Sequence, residues 1–105
     1  LLSNISLSLD LNNGQLDNQS GLINAPGTLL LKNLGVVLNQ GGEISSGQAF
    51  TLSANNLENN GGKVLSNQVL TLRIANALNN VKGMIAAAGV DTKAGTLDNT
   101  GGTLT

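Results

Sequence analysis

The sequence predicts an all-β chain that folds as a parallel β-solenoid of about five coils, each roughly 20 residues long. Three observations support this prediction. The 105 residues repeat with a period near 20. Apolar residues within each repeat alternate in steps of two, which is the period of a strand. Asn and Gly residues, which favour tight turns, separate the alternating segments.

The repeat is anchored by an aliphatic position that recurs five times, at intervals of 21, 20, 21 and 19 residues. The anchors are Leu16, Val37, Leu57, Leu78 and Leu97. Two residues after the anchors come Asn18, Asn39, Asn59, Asn80 and Asn99. Five residues after them come Gly21, Gly42, Gly62, Gly83 and Gly102. Seven residues after them come Ile23, Ile44, Val64, Ile85 and Leu104. Agreement of three columns over five copies indicates true internal repetition.

The repeat boundaries predict one β-solenoid fragment over residues 1–105 and no second domain. Four repeats at about 16–36, 37–56, 57–77 and 78–96 lie between partial repeats at 1–15 and 97–105. We expect two or three short strands in each repeat, each paired with its equivalent one coil further on. Such coils stack about 4.8 Å apart, so the neighbouring coils of the same parent chain are the first expected partners.

Alternating pairs locate the predicted core strands. Phe50 and Leu52 match Leu70 and Leu72 one repeat later, so both pairs are expected to face the interior. Residues 85–88 form the one stretch that favours a helix. They fall where the repeat predicts a strand, so we interpret them as strand as well.

The asparagine and glycine columns predict the structure of the turns. In a parallel stack, identical asparagines lie above one another, and each amide can donate to the oxygen of the next. We therefore predict a structural ladder formed by the five asparagines. The glycine column is interpreted as turn residues because Gly accepts positive φ at little cost.

The repeated unit has a recognisable sequence: residues 57–64 read LENNGGKV, residues 97–104 read LDNTGGTL, and residues 68–75 read QVLTLRIA. This unit resembles the filamentous haemagglutinin repeat. The resemblance extends over about residues 5–105 and implies a right-handed parallel β-helix. Ser20 and Lys82 depart from it because they replace the first Gly of the pair, which leaves the turn geometry there open.

The resemblance also implies a function and a location. It implies a rod segment of a very large bacterial exoprotein, secreted or held at the outer-membrane surface. Exoproteins of this kind are two-partner-secretion adhesins or contact-dependent growth inhibition toxins, exported by a partner outer-membrane β-barrel transporter. The rod would project a distal adhesive or toxin module, and a target-cell surface receptor or glycan is a candidate partner.

Composition argues against most other functions. Charged residues make up 10% of the chain, and the formal charge is −1, so no broad basic face for nucleic acid is expected. The sequence has no His or Cys, which removes the commonest metal ligands and general base, and no cofactor is expected. Phe50 is the only aromatic residue, so aromatic platforms for bases or sugars are not expected.

The carboxylates provide the basis for an enzymatic alternative, a fragment of a β-helical polysaccharide lyase or hydrolase. Asp17, Glu58 and Asp98 share the position after the anchor, and equivalent positions two coils apart lie roughly 10 Å apart. An inverting glycosidase needs carboxyl groups about 6.5–9.5 Å apart. We favour solvated turn charges and a non-enzymatic chain because the repeat lengths vary by only two residues and leave no groove-forming loop.

A short basic stripe is the remaining candidate site. Lys32, Arg73 and Lys93 occupy roughly the same repeat position, with Ser53 between the first two. Stacked cations of this kind could bind an anionic glycan or lipopolysaccharide in a salt-sensitive manner. The simpler interpretation, which we favour, is that they are exposed charges that keep one strand face soluble.

Overall fold

The computed structural model describes residues 6–105, and within that range the secondary structure consists of strands and turns without a helix. Each coil contains one long and one short strand. The long strands are β1 (Leu7–Asp17), β3 (Leu29–Leu38), β5 (Phe50–Glu58), β7 (Val69–Asn79) and β9 (Gly89–Asp98). The short strands are β2 (Leu22–Ala25), β4 (Glu43–Ser46), β6 (Lys63–Ser66), β8 (Met84–Ala86) and β10 (Thr103–Leu104).

The strands form two five-stranded sheets, one from all the long strands and one from all the short strands. Neighbours in each sheet are parallel and are equivalent strands of successive coils, so that Leu29 pairs with Phe50 and Phe50 pairs with Leu70. This arrangement confirms the predicted all-β solenoid of about five coils. It also reduces the predicted two or three strands per repeat to two.

The core lies between the two sheets and is built from columns of aliphatic side chains. Phe50, Leu52, Leu70 and Leu72 are fully buried, as the alternation predicts. The aliphatic positions seven residues after the anchors face them from the short strands, and Ile44, Val64 and Ile85 are also fully buried. Burying a side chain of this size contributes about 1.5–3 kcal/mol, and it is buried only because adjacent coils cover it.

The long strands bend at one place in every coil. The ladder register slips between Leu31 and Leu34, between Ala54 and Asn56, and between Ile74 and Ala77. Bulges of this kind insert unpaired residues and bend a strand. The number of residues inserted differs from coil to coil, so the bend is the main place where coil length varies.

That variation can be measured between two paired columns of the long sheet. Leu7, Leu29, Phe50, Leu70 and Val90 form one column, and the anchors form the other. The two columns are nine residues apart in β1, eight in β3, seven in β5, eight in β7 and seven in β9.

Candidate functional site

The five asparagines form a continuous hydrogen-bonded column at the turn between the long and short strands. Asn39, Asn59 and Asn80 are completely buried, and Asn18 is nearly so. Each Nδ2 donates to the Oδ1 of the next asparagine, at 2.7 Å (Asn18 to Asn39), 2.7 Å (Asn39 to Asn59), 2.8 Å (Asn59 to Asn80) and 2.6 Å (Asn80 to Asn99). The column therefore has a direction, with every donor pointing toward the next coil.

A second set of bonds connects the same amides to the main chain. Asn39 Nδ2 also donates to the carbonyl oxygen of Lys63 at 3.0 Å, and Asn80 Nδ2 donates to that of Thr103 at 2.9 Å. The Asn59 carbonyl oxygen accepts from the Gly62 N–H at 3.0 Å and closes the turn. Each buried amide thus satisfies its own polar atoms and connects two coils, which is a structural task.

The glycine column is required for space, and its φ angles are not the reason. A Cβ on Gly62 would lie 2.0 Å from the Asn39 carbonyl oxygen of the preceding coil, and one on Gly83 would lie 2.2 Å from that of Asn59. Positive φ occurs one residue earlier, at Gly41, Gly61 and Gly101. The positive φ that we expected in the glycine column therefore lies one residue earlier in the chain.

Ser20 and Lys82 occupy that earlier position in two turns. Their φ values of 53° and 54° lie in the same left-handed region as the 68° of Gly61. The turn geometry that these two departures left open is therefore the same as in the other turns. The bonds around the asparagine hold the turn in one shape even where a side chain makes that shape unfavourable.

The structure brings two of the three stripe cations together and separates the third. Ser53 pairs with Arg73, and Arg73 pairs with Lys93. Lys32 lies at the other end of the column, where it pairs with Asp10. The Arg73 guanidinium also contacts Asp91, with 2.9 Å between Nη2 and Oδ2. Ser53 thus interrupts the stripe, and the carboxylates of Asp10 and Asp91 beside its cations make its local charge smaller than the sequence suggests.

The pKa shifts of these groups follow from the same contacts. Hydrogen bonds from the Asn12 N–H and the Asn33 amide lower the pKa of Asp10. The hydrogen bond with Arg73 lowers the pKa of Asp91, and the same bond raises the pKa of Arg73. Each carboxylate therefore stays ionised at neutral pH.

The acidic residues after the anchors are aligned and spaced as the repeat requires. Leu38 lies between Asp17 and Glu58 in the pairing, and Asn79 lies between Glu58 and Asp98. Asn79 Nδ2 donates to both Glu58 oxygens, at 2.9 and 3.0 Å. Local hydrogen bonds thus occupy these carboxylates, and within residues 6–105 the acidic residues form no group of three that could hold a metal ion.

A groove at the bend of the long strands was not found from the sequence. This corner groove has a volume of about 550 Å³ and crosses all five coils. Asn13, Asn33, Asn55, Arg73 and Lys93 line its sides. The variable distance between the two apolar columns, from seven to nine residues, was the sequence signal that could have located it, because insertions collect at the variable face of repeat proteins.

Comparison with known proteins places the chain in a family. No helix in residues 6–105 is long and apolar enough to cross a membrane. Comparison with curated proteins gives no match, and neither does comparison with solved structures. The family model described as the haemagglutinin repeat matches residues 7–82 and, in a second match, residues 59–105. The chain therefore belongs to the haemagglutinin repeat family and forms a rod-like segment of a filamentous-haemagglutinin-like protein.

Proposed function

We propose that this chain is a spacer in the rod of a large secreted bacterial exoprotein and that it holds an adhesive or toxin module away from the producing cell. The continuity of the stack is the observation that supports this role. The asparagine column runs from one described coil to the next without a break, and the core columns run with it, with Thr92 as a polar member of one of them. Each additional coil would extend such a rod by about 4.8 Å.

Three sets of bonds cross every boundary between coils. The long strands pair, the short strands pair, and the asparagine amides bond in a third line. Pulling along the axis would have to break all three sets together. One backbone hydrogen bond contributes only about 1 kcal/mol, so resistance to pulling requires that many bonds break together. Such resistance suits a segment that holds another module at a fixed distance.

Export and location form the finer part of the proposal. We propose that the parent chain is exported through an outer-membrane β-barrel transporter and remains at the cell surface or in the medium. Contact-dependent growth inhibition toxins and two-partner-secretion adhesins are the two kinds of parent we consider. Family membership supports this part of the proposal, since the haemagglutinin repeat is typical of such exoproteins.

A length measurement tests the spacer role. Residues 37–77 comprise two whole repeats, and a second copy inserted after Ala77 keeps every column in register. The two added coils should lengthen the stack along its axis by about 10 Å, which small-angle scattering should detect as a larger radius of gyration with an unchanged cross-section. The matched control repeats residues 37–72 and places the inserted columns out of register. Equal growth of both proteins, or a wider cross-section in the first, would contradict the spacer role.

Binding to cells tests whether these coils also contact a target. The dye-labelled chain is incubated with intact Gram-negative bacteria and with epithelial cells, with an unrelated β-solenoid of similar charge as control. A pure spacer gives no saturable binding above that control. Saturable, salt-sensitive binding that is lost when Lys32, Arg73 and Lys93 are all changed to Gln would instead make the basic stripe a recognition surface.

We propose no catalytic role for these coils. The aligned carboxylates Asp17, Glu58 and Asp98 are separated by Leu38 and Asn79, and Glu58 is hydrogen-bonded to Asn79. A reducing-sugar assay on pectin, alginate and chondroitin tests the alternative of a lyase or hydrolase fragment. Any turnover by the purified chain that Glu58→Gln abolishes would overturn our proposal.

A further inference from the structure

The corner groove differs from the rest of the surface because its two ends carry different chemistry. Asn13 and Asn33 lie at the end nearer β1, Asn55 lies midway, and Arg73 and Lys93 lie at the end nearer β9. None of the described residues that line the groove is acidic, and two nearby carboxylates, Asp10 and Asp91, are hydrogen-bonded to Asn33 and Arg73. A ligand that fits has its negative charge at one end and neutral hydrogen-bonding groups along the remainder.

The floor of the groove is apolar. Leu34, Ala54, Ile74 and Ala94 lie along it, and Gly95 extends it at the β9 end. Leu34 and Ile74 are buried and present only their edges. A floor of small aliphatic groups suits aliphatic side chains. It lacks the aromatic face on which a sugar ring would stack, since Phe50 is completely buried.

Arg73 is held in position before any ligand arrives. Its Nη1 donates to the Leu72 carbonyl oxygen at 3.0 Å, and its Nη2 donates to Asp91 at 2.9 Å. A fixed guanidinium loses less conformational entropy on binding than a free one. Lys93 lies beside it in the pairing and brings a second positive charge, so that two cations share one nearby carboxylate, Asp91.

We propose that the corner groove binds an extended polypeptide segment that carries aliphatic side chains and has an acidic end. The groove spans four coil spacings, about 19 Å, which matches roughly six residues of extended chain. The acidic end lies against Arg73 and Lys93, and the amides of Asn13 and Asn55 bond to peptide groups. A uniformly charged polyanion fits less well because the cations are confined to two coils.

Fluorescence anisotropy with synthetic peptides tests this proposal on the whole chain. The probe is a dye-labelled hexapeptide in which four residues of alternating Ala and Val are followed by two Glu residues. Its matched control has Gln in place of both Glu residues. We expect saturable binding of the acidic probe that weakens with added salt. The Gln peptide should bind at least about tenfold more weakly, which corresponds to about 1.4 kcal/mol.

Variants of the chain locate the site. Arg73→Gln combined with Lys93→Gln should raise the dissociation constant of the acidic probe at least about tenfold, and Asn55→Ala should raise it about threefold. The matched control is Lys63→Gln on the opposite sheet, where Lys63 is exposed on β6, and it should leave binding unchanged. Melting curves establish that each variant is folded.

The contrary results are equally definite. Equal binding of the Glu and Gln peptides, or equal loss of affinity in the Lys63 variant, would overturn the proposal. The proposal would also be overturned if a heparin hexasaccharide bound more tightly than the acidic probe and the Arg73 and Lys93 double variant abolished the heparin binding. That last result would make the groove a site for anionic polysaccharide.

Discussion

The asparagine turn and the corner groove lie on the same coils and follow opposite rules. At the turn, the distance from the asparagine to the aliphatic residue of the short strand is five positions in every coil, from Asn18 and Ile23 to Asn99 and Leu104. At the corner, the distance across the bend takes three different values between seven and nine. One region tolerates no change in length and the other tolerates several.

The difference follows from what fills each region. At the turn, a buried amide bonds to the next amide and to a carbonyl oxygen, and a glycine lies against the preceding coil with no room for a Cβ. An added residue there would break all these contacts at once. At the corner, exposed side chains such as Asn55 occupy much of the space, and glycines such as Gly35 also lie close to the backbone of the preceding coil. Within residues 6–105 no column of buried side-chain hydrogen bonds crosses the corner, so an added residue there breaks fewer buried contacts than one at the turn.

Insertions at the two regions give the largest expected contrast. A glycine inserted between Asn60 and Gly61 should cost about 3 kcal/mol or more because it breaks the register of buried bonds. A glycine inserted between Asn55 and Asn56 should cost less than about 1 kcal/mol, since it gives β5 the eight-residue spacing that both of its neighbours already have. Urea unfolding measures both values, and similar costs would remove the distinction between the regions.

The glycine column gives the next largest effect. Gly62→Ala should cost about 3 kcal/mol because its Cβ would meet the Asn39 carbonyl oxygen, and this overpacking involves backbone, which cannot move aside cheaply. Gly61→Ala is the matched control. Its Cβ meets nothing within 4 Å, and only the φ of 68° opposes it, so about 1 kcal/mol is expected. A larger loss at Gly61 than at Gly62 would mean that φ, not space, selects the column.

Breaking the asparagine column comes third. Asn59→Leu removes the acceptor of Asn39 and the donor to Asn80, which leaves buried polar atoms without those partners. The expected loss is about 2 kcal/mol, seen as a lower melting temperature with no change in binding to cells. Asn55→Leu, on the exposed corner, should change stability by less than about 0.5 kcal/mol. An unchanged melting temperature in the Asn59 variant would refute the ladder.

A gain in stability is expected at Lys82. Its φ of 54° belongs to a region that glycine adopts freely. Lys82→Gly should therefore stabilise the chain by about 1 kcal/mol, and Ser20→Gly should do the same in the first turn. Thermal unfolding of both variants checks this. Destabilisation in both would show that the side chains contribute contacts that outweigh the backbone strain.

The smallest effect concerns pH. Asp10, Asp91 and Asp98 have pKa values below the ordinary 3.8 in the folded chain, so folding favours their ionised forms. Their contribution to stability is present above the unfolded value and is lost as the pH falls through the folded values. The melting temperature should therefore decline slightly below about pH 4, and less so in Asp91→Asn. A larger decline between pH 7 and pH 5 would contradict this account.

Most of the fold could be predicted from the sequence because the same pattern of aliphatic, Asn and Gly positions recurs five times. Alternation around Phe50 and Leu52 identified the interior, and the recurrence of Asn59 in every copy identified the turn. The sequence alone determined the coil length, the columns and the family resemblance, since each rests on spacing along the chain. Parallel stacking then follows because identical coils bury their apolar faces only against one another.

Only the tertiary structure decided which surface residues meet. Asp91 contacts Arg73 because the two lie on adjacent coils, 18 positions apart in sequence, and that contact offsets part of the charge of the basic stripe. The close approach of Gly62 to Asn39 likewise depends on how one coil sits on the next. The corner groove arises where bulges of unequal length align. These features depend on distances between coils, and a one-dimensional pattern specifies the coils without specifying those distances.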